Sequence, residues 1–327
     1  MERELTDLFG RIHKDLRISV TDRCNFRCQY CMPAEGLDWM PREQLLTFEE
    51  ITRAARIMVE YYGVESIRLT GGEPTLRANL PELIKMLSKL PIDLSMTTNG
   101  VSLKKNAQLF ASSGLKRINI SIDSLRPERF EQITLRNDIN KVISGIEASV
   151  IAGFSPVKIN VVIMNGVNED EILDFAKFGR DLGVIVRFIE FMPLDANGEW
   201  SLNSVVSLED IVSTIDEVFP LEKLHQGSAP ASKFRYKDGN GEIGVVASVT
   251  QKFCASCDRV RLTADGQFRN CLFATEEFDL KEKLRSGVSD EEVCELIEIA
   301  VKSKREGHGI GNIDFIRPER SMSQIGG

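Results

Sequence analysis

Residues 16–33 read LRISVTDRCNFRCQYCMP. The alternating run 16–20 predicts a short β-strand, because successive side chains of a strand point to opposite faces. The strand leads into Cys24, Cys28 and Cys31, which are separated by three and then two residues. Three soft metal ligands therefore stand together without a fourth, and the loop after this strand is the first candidate for a metal site. We call these cysteines the first triplet.

Five further strand patterns follow along the chain, and helical patterns separate them. The strands are predicted at 66–70, 93–97, 116–122, 157–164 and 184–191, and the helices at 47–62, 79–90, 103–112, 127–133, 139–152 and 169–181. Thr47 and Glu50 have the spacing of a capping box at the first helix. Because parallel strands need long crossover connections, six βα units predict a parallel sheet in an α/β fold.

Glycine, small polar or metal-binding residues follow every predicted strand. After the first triplet these stretches are 71–74 (GGEP), 98–100, 123–124, 165–166 and 192–193. Parallel α/β folds build their sites at the carboxyl ends of the strands. We therefore expect the active site at this edge of the sheet.

Composition narrows the classes of protein. The chain has 327 residues and a formal net charge of −8, which argues against nucleic acid as a partner. No apolar run reaches the ~18–20 residues that span a bilayer, and the first ten residues lack the apolar segment of a secretory signal. We expect a cytoplasmic protein that contacts no membrane.

After about residue 200 the βα pattern ends. The segments predicted there are a helix at 208–218, strands and turns at 232–271, and a helix at 288–302.

The seven cysteines divide unevenly. Cys254, Cys257 and Cys271 form a second triplet, spaced by two and thirteen residues, whereas Cys294 lies in an apolar helical pattern and is expected to be buried. A structural zinc site needs four ligands, and none of the three histidines lies beside a cysteine loop in the sequence. A disulfide is disfavoured in a reducing compartment. An iron–sulfur cluster bound by three thiolates would keep one iron open to a small molecule.

The first triplet, placed after the first strand, resembles the signature of radical S-adenosylmethionine (SAM) enzymes. The resemblance implies a [4Fe-4S] cluster whose open iron is chelated by the amino and carboxylate groups of the methionine part of SAM. The stretch 71–74 resembles the GGEP element of that family, where glycine lets the main chain approach a ligand closely. The cofactor-binding residues implied by the resemblance are Tyr30, Gly72, Glu73, Ser121 and Met192.

Residues 253–273, the flanks of the first triplet and the terminal diglycine resemble GTP 3′,8-cyclases of molybdenum cofactor biosynthesis, and this resemblance covers essentially the whole chain. It implies that the second triplet holds a second [4Fe-4S] cluster, whose open iron binds the guanine. It also implies that Gly326 and Gly327 reach into the active site. The implied architecture is a partial (incomplete) βα TIM-type barrel, residues 1–220, with a small C-terminal module, residues 221–327, closing its open side.

The implied reaction begins with reductive cleavage of SAM. The resulting radical removes the 3′ hydrogen of GTP, and the ribose carbon then bonds to C8 of guanine to give (8S)-3′,8-cyclo-7,8-dihydroguanosine 5′-triphosphate. An external one-electron donor, a homodimer and a next enzyme of the pterin pathway that receives the product are the expected partners. Two other classes stay open, a radical enzyme that modifies a peptide and a zinc-binding interaction module without activity.

Basic residues recur on the polar faces of the predicted strands. Strand alternation places Arg17, Arg68, Lys158 and Arg187 opposite the apolar side chains of the same strands. They either pair with internal acids at positions 73, 123 and 190 or bind a polyanionic substrate, whose phosphate oxygens suit arginine. The resemblance described above does not decide whether Thr97 or Thr98 contacts the nucleotide. The GTP-contacting residues implied by the resemblance are Arg17, Arg68, Thr97, Lys158, Arg187, Arg259 and Arg261.

Overall fold

The computed structural model describes residues 3–195, 198–225, 230–313 and 315–326. Six strands alternate with helices over the first 190 residues, as the sequence predicts. They are β1 (Asp15–Ser19), β2 (Ser66–Thr70), β3 (Asp93–Thr98), β4 (Arg117–Ser121), β5 (Val157–Ile163) and β6 (Ile185–Glu190). Neighbouring strands from β1 to β6 are parallel.

Crossover helices cover the outer face of these strands. They are α1 (Phe48–Tyr62), α2 (Leu80–Leu87), α3 (Leu103–Ser112), α4 (Pro127–Thr134), α5 (Ile139–Ile151) and α6 (Ile172–Leu182). The predicted capping box is confirmed, because Thr47 accepts a hydrogen bond from the Glu50 amide and Glu50 accepts one from the Thr47 amide. The second helix ends at Leu87 instead of 90, since Leu90 precedes Pro91 and a residue before proline disfavours helical geometry.

The strands after residue 200 join the same sheet instead of forming a separate one. They are β7 (Leu221–Lys223), β8 (Ser232–Tyr236), β9 (Glu242–Val246), β10 (Arg259–Leu262), β11 (Gln267–Arg269) and β12 (Phe278–Asp279). The order is β12-β11-β10-β1-β2-β3-β4-β5-β6-β9-β8-β7. β10 is parallel to β1 and β9 is parallel to β6, so the later strands extend both edges of the parallel sheet. Within the described residues the sheet does not close, as a partial barrel requires.

Four further helices complete the described chain. They are α7 (Leu208–Asp216), α8 (Leu280–Arg285), α9 (Asp290–Lys302) and α10 (Met322–Ile325). α7 and α9 were predicted, whereas α8 was not. Cys294 on α9 is fully buried, as expected. No helix of the described residues is long and apolar enough to cross a bilayer.

Strand alternation decides which side chains enter the core. Leu16 and Ile18 of β1 are almost completely buried against the helices, whereas Arg17 between them lies on the opposite face and lines an internal cavity. The inner face of the barrel is therefore free to carry polar and charged groups.

Candidate functional site

The first triplet lines a cavity of about 190 Å³ at the carboxyl ends of the strands. Its loop is held by local hydrogen bonds, since the Cys28 carbonyl accepts from the Cys31 amide (2.8 Å) and the Cys24 carbonyl accepts from Arg27 (2.8 Å). Burial raises the pKa of Cys24 to about 11, and burial also raises the pKa of Cys28 and Cys31. Without a bound metal these groups would be neutral thiols, so a cluster would displace their protons.

Gly71 and Gly72 pack directly against this loop. A side-chain carbon at Gly72 would lie 2.4 Å from the carbonyl oxygens of Asp22 and Arg23, and one at Gly71 would lie 2.5 Å from the Thr21 carbonyl oxygen. The Gly72 amide donates to the Thr21 carbonyl (2.8 Å). The two glycines thus allow close approach between two loops of the protein, whereas the sequence suggested close approach to a ligand.

Glu73 is almost completely buried and does not pair with a cation. Its carboxylate accepts hydrogen bonds from the Thr75 hydroxyl (2.6 Å) and amide (3.0 Å), the Thr98 hydroxyl (2.6 Å) and the Asn99 amide (2.7 Å). Both threonines line the first cavity, but Thr98 is bonded to Glu73 and only its neighbour Thr97 also lines the second cavity described below. The structure therefore separates the two threonines that the motifs left undistinguished.

Tyr30, Ser121 and Met192 line the same cavity as the first triplet. The Tyr30 hydroxyl donates to the Asp123 carboxylate (2.6 Å), which also accepts from the Val162 amide (2.8 Å). Burial raises the pKa of Asp123 to about 6 despite these bonds. All five residues predicted to bind the cofactor thus surround one space.

The second triplet lines a second cavity of about 170 Å³. Arginines line it with these cysteines, and strand register places three of them side by side: Arg17 of β1 lies opposite Arg68 of β2 and Arg261 of β10. The five arginines around this cavity are Arg17, Arg68, Arg187, Arg259 and Arg261. Lys158 lines neither cavity, although burial and the nearby Arg187 lower its pKa to about 7.

The idea that these cations pair with internal acids is wrong. Asp123 and Glu73 are engaged as described, and Glu190 accepts hydrogen bonds from the amides of Leu208, Val249 and Thr250. Within the described chain no carboxylate forms an ion pair with any of the five arginines. Buried nitrogen atoms of three of them, Arg17 Nε, Arg187 Nε and Arg259 Nη2, have no hydrogen-bond partner.

Burial lowers the pKa of four arginines of this cavity, Arg17, Arg68, Arg187 and Arg261. The pKa of Arg187 falls to about 9 and that of Arg261 to about 10, and burial together with the charges of Arg261 and Arg68 lowers the pKa of Arg17. Adjacent buried cations are unfavourable without compensating anions. The cavity is therefore suited to a ligand with several negative charges.

The two cavities are adjacent. Five residues line both of them: Thr97, Asn160, Ile189, Met192 and Met322. The first triplet thus lies at one end of the lumen and the second triplet at the other, with the arginines beside the second.

The second triplet has a histidine neighbour in space, although this histidine is distant in the sequence. His308 lines the cavity with Cys254 and Cys271. Its Nδ1 accepts from the Ile310 amide (3.1 Å), so Nε2 carries the proton and donates to the Ser248 carbonyl (3.0 Å). Both ring nitrogens are engaged, so His308 does not provide a fourth ligand to the triplet.

The three thiols of each triplet do not fit a single metal ion. No group of three His, Cys, Asp or Glu side chains in the described ranges could hold one. The pKa of Cys257 is lowered to about 7 even though burial opposes this, because the charges of Arg259 and Lys304 favour the thiolate. Three soft thiol donors lining one cavity are the kind of ligand set that an iron–sulfur cluster uses.

The carboxyl-terminal tail enters the barrel mouth. The Gly326 carbonyl accepts a hydrogen bond from Arg261. A side-chain carbon at Gly326 would lie 2.9 Å from Ser19 Cβ and Thr70 Oγ1, and its φ of +90° favours glycine. Gly327 lies outside the described residues.

Known proteins match over the whole chain. The Radical SAM superfamily model matches residues 18–179, and the Molybdenum Cofactor Synthesis C model matches residues 184–310. A GTP 3′,8-cyclase of Corynebacterium glutamicum is 45% identical over 99% of this chain and 90% of its own length. One of Streptomyces coelicolor is 44% identical over 99% of this chain and 96% of its own length. The chain belongs to the GTP 3′,8-cyclase family.

Membership of the GTP 3′,8-cyclase family confirms an enzyme with radical SAM chemistry and a [4Fe-4S] cluster, and it excludes the zinc-binding interaction module. Among solved structures, Streptococcus suis SuiB bound to S-adenosylmethionine has a TM-score of 0.63 at 13% identity, covering 90% of this chain and 69% of its own. At that identity the likeness shows the fold alone. It confirms the expected α/β partial barrel.

Sequence reasoning missed several cavity residues of this cyclase-family chain. Strand alternation places Asn160 and Ile189 on the strand faces of Lys158 and Arg187, but no binding role was assigned to them. Met322 carries no such signal, because it reaches the lumen only through the fold of the tail.

Proposed function

We propose that this chain converts GTP to (8S)-3′,8-cyclo-7,8-dihydroguanosine 5′-triphosphate, an early step of molybdenum cofactor biosynthesis. One observation carries the proposal: the two cysteine triplets line adjacent cavities that share five residues, and arginines without ion-pair partners line the cavity of the second triplet. A radical SAM site alone explains the first triplet. The second triplet and the arginines need a second, anionic substrate.

The residues of the first cavity hold the SAM cofactor in this proposal. Cys24, Cys28 and Cys31 ligate the first [4Fe-4S] cluster, and Tyr30, Gly72, Glu73, Ser121 and Met192 surround the cofactor. When bound, the cluster and SAM supply one-electron radical chemistry. Because Glu73 is held by four hydrogen bonds, its carboxylate is preorganised to orient the amino group of the cofactor.

The residues of the second cavity hold GTP. Cys254, Cys257 and Cys271 ligate a second [4Fe-4S] cluster whose open iron takes the guanine. The triphosphate is bound by cations with donors to spare, since Arg17 Nε, Arg187 Nε and Arg259 Nη2 lack partners. Arg68, Arg261, Thr97 and Lys158 complete the nucleotide-binding set.

The tail contributes to the same site. The contact of Gly326 with Arg261, a residue of the second cavity, supports this role. In the proposal Gly326 and Gly327 act at this site, and a larger residue at position 326 would collide with β1 and β2.

The proposal also includes the domains, the location and the partners of the protein. We propose two domains, residues 1–220 and 221–327, and a homodimer in the cytoplasm. An external donor supplies one electron, and the next enzyme of the pterin pathway receives the product.

The proposal is tested by turnover under anaerobic conditions. The reconstituted, reduced protein is incubated with SAM and GTP, and 5′-deoxyadenosine and the cyclised nucleotide are quantified by mass spectrometry. We expect both products only when GTP is present, and we expect ATP to replace it poorly. Formation of 5′-deoxyadenosine that does not depend on GTP would exclude the cyclase and favour a peptide-modifying enzyme.

A further inference from the structure

A buried group of charged residues lies behind the second triplet and has no role in the proposed reaction. It consists of Asp7 and His13 from the amino-terminal segment and Lys304 just after α9. All three side chains are buried, and none of them lines either part of the lumen. We call these residues the Asp7–Lys304 network.

Lys304 contacts the second triplet directly. Its ammonium donates to the Arg259 carbonyl (2.9 Å) and lies 3.7 Å from Cys257 Sγ and 3.4 Å from the Cys257 carbonyl. Its remaining neighbour is His13 Nδ1 at 3.4 Å. Four possible acceptors thus surround the three N–H groups of the ammonium.

The charge of Lys304 needs an anion nearby, because a buried ammonium is costly unless it is compensated. Within the ranges that the structure describes, no carboxylate lies within ion-pair distance of Lys304. The acidic group that it touches is the Cys257 thiol, whose sulfur would be a thiolate when bound to iron. Binding to iron would hold this sulfur permanently in the thiolate form, which makes it the anion that Lys304 lacks elsewhere.

The rest of the network fixes the orientation of Lys304. A lysine ammonium only donates hydrogen bonds, so His13 Nδ1 must be the acceptor and Nε2 must carry the proton. Nε2 then donates to the Asp7 carboxylate (3.2 Å). Asp7 also accepts from Arg11 Nε (2.5 Å), and Arg11 donates to the Cys254 carbonyl (2.9 Å). Asp7 therefore connects to the loops of two cysteines of the second triplet.

We infer that Lys304 is a positioning residue of the second cluster: it donates a hydrogen bond to the Cys257 sulfur from outside the nucleotide space and raises the reduction potential of that cluster. The inference rests on the proposed second cluster. Hydrogen bonds to the sulfur atoms and nearby positive charge stabilise the more negative, reduced state of an iron–sulfur centre. Asp7 and His13 act through Lys304 by holding its ammonium in place.

The test isolates the second cluster. All three cysteines of the first triplet are replaced by alanine, so that iron binds only at the second triplet. Lys304→Met is then introduced, which keeps the length of the side chain but removes the charge and the donors. The matched control is Lys302→Met, which removes the same charge from an exposed position two residues away. Redox titrations followed by electron paramagnetic resonance give the midpoint potential of each protein.

We expect Lys304→Met to lower the ratio of reduced to oxidised cluster at least tenfold at a fixed potential, which is about 59 mV for a one-electron couple. Lys302→Met should leave the midpoint unchanged. In protein with an intact first triplet, the first cluster should keep its potential in both variants. An unchanged midpoint of the second cluster in Lys304→Met would overturn the inference.

Two other outcomes are also decisive. If Lys304→Met does not fold, Lys304→Gln retains a donor without the charge, and it should shift the midpoint in the same direction by less; no shift would refute the role of Lys304. If the parent protein without the first triplet binds no iron at all, the proposed function loses its second cluster. The failure of the proposed function is thereby distinguished from the failure of this inference.

Discussion

Replacing Gly72 with alanine should push the loop of the first triplet away from the loop that follows β2, and the first iron–sulfur cluster should be lost. The new methyl carbon would lie 2.4 Å from the carbonyl oxygens of Asp22 and Arg23, which belong to the main chain and cannot rotate away. Since non-bonded heavy atoms pack at about 3.5 Å, the two loops must separate by roughly 1 Å. Arg23 directly precedes Cys24, so the displacement reaches the first cluster ligand.

The energetic cost follows from the contacts that this separation breaks. The Gly72 amide bonds to the Thr21 carbonyl (2.8 Å) and the Glu73 amide bonds to the Arg23 carbonyl (2.7 Å). At about 1 kcal/mol for each hydrogen bond and about 1–3 kcal/mol for overpacking, the local destabilisation is about 3–5 kcal/mol. That is enough to open the loop locally in a protein of ordinary stability.

Iron and sulfide analysis after anaerobic reconstitution measures the effect. We expect Gly72→Ala to fall from about eight to about four irons per chain, because the second triplet still binds its cluster. SAM binding should be lost with the first cluster. Gly307→Ala is the matched control, since its methyl carbon would lie 3.8 Å from Cys254 Cβ and Sγ, an ordinary contact. Full iron content and unchanged SAM affinity in Gly72→Ala would refute the reasoning.

Four further substitutions test separate parts of the site. Cys24→Ala should abolish 5′-deoxyadenosine formation while iron at the second triplet remains; persistent formation would remove Cys24 from the cofactor site. Arg261→Ala should weaken GTP binding about tenfold or more, the value of a charged hydrogen bond, and leave SAM binding within about twofold; the reverse order in calorimetry would mean that the two subsites are exchanged. Lys158 has a pKa of about 7 and is mostly neutral at pH 8. The phosphates of GTP should raise this pKa, so that binding takes up about one proton. Calorimetry in buffers of different ionisation enthalpy should show this uptake in the wild-type protein and its loss in Lys158→Met. Equal uptake in both proteins would show that Lys158 does not contact the nucleotide. Gly326→Ala should lower turnover at least tenfold with full iron content, because the methyl group collides with Ser19 and Thr70; wild-type kcat would contradict a role for the tail.

Local sequence patterns predicted the barrel strands well. The alternation of side chains between the two faces of β1 placed Leu16 and Ile18 in the core and Arg17 in the lumen, as the structure has them. Capping chemistry likewise located the start of α1 at Thr47. These features depend on neighbours within a few residues, which a sequence displays directly.

Pairing over long distances in the chain was not predictable in this way. The segment 232–271 was predicted to contain strands and turns, but no pattern indicated that β10 lies beside β1 and β9 beside β6. Short strands carry no signal for their partner, and the partner here lies more than 200 residues away for β10. The register that aligns Arg17 with Arg261 follows from this pairing and was therefore also hidden.

The chemistry of individual site residues shows the same limit. The motif marked Glu73 as a candidate site residue, and Glu73 lines the first cavity. Its engagement by Thr75, Thr98 and Asn99 depends on where β2 and β3 end in space. His308 lies 37 residues after Cys271 in the sequence and beside it in the cavity. Motifs identify candidates, whereas hydrogen bonding decides what each group can still bind.

The central claim is that each triplet binds a cluster with one iron left open to a small molecule. Its most direct test is electron paramagnetic resonance of the reduced protein with and without GTP. The nucleotide should change the signal of the cluster at the second triplet and leave the signal of the first unchanged, and SAM should do the opposite. The account is contradicted if GTP leaves the second signal unaltered, or if the reduced protein shows one cluster only.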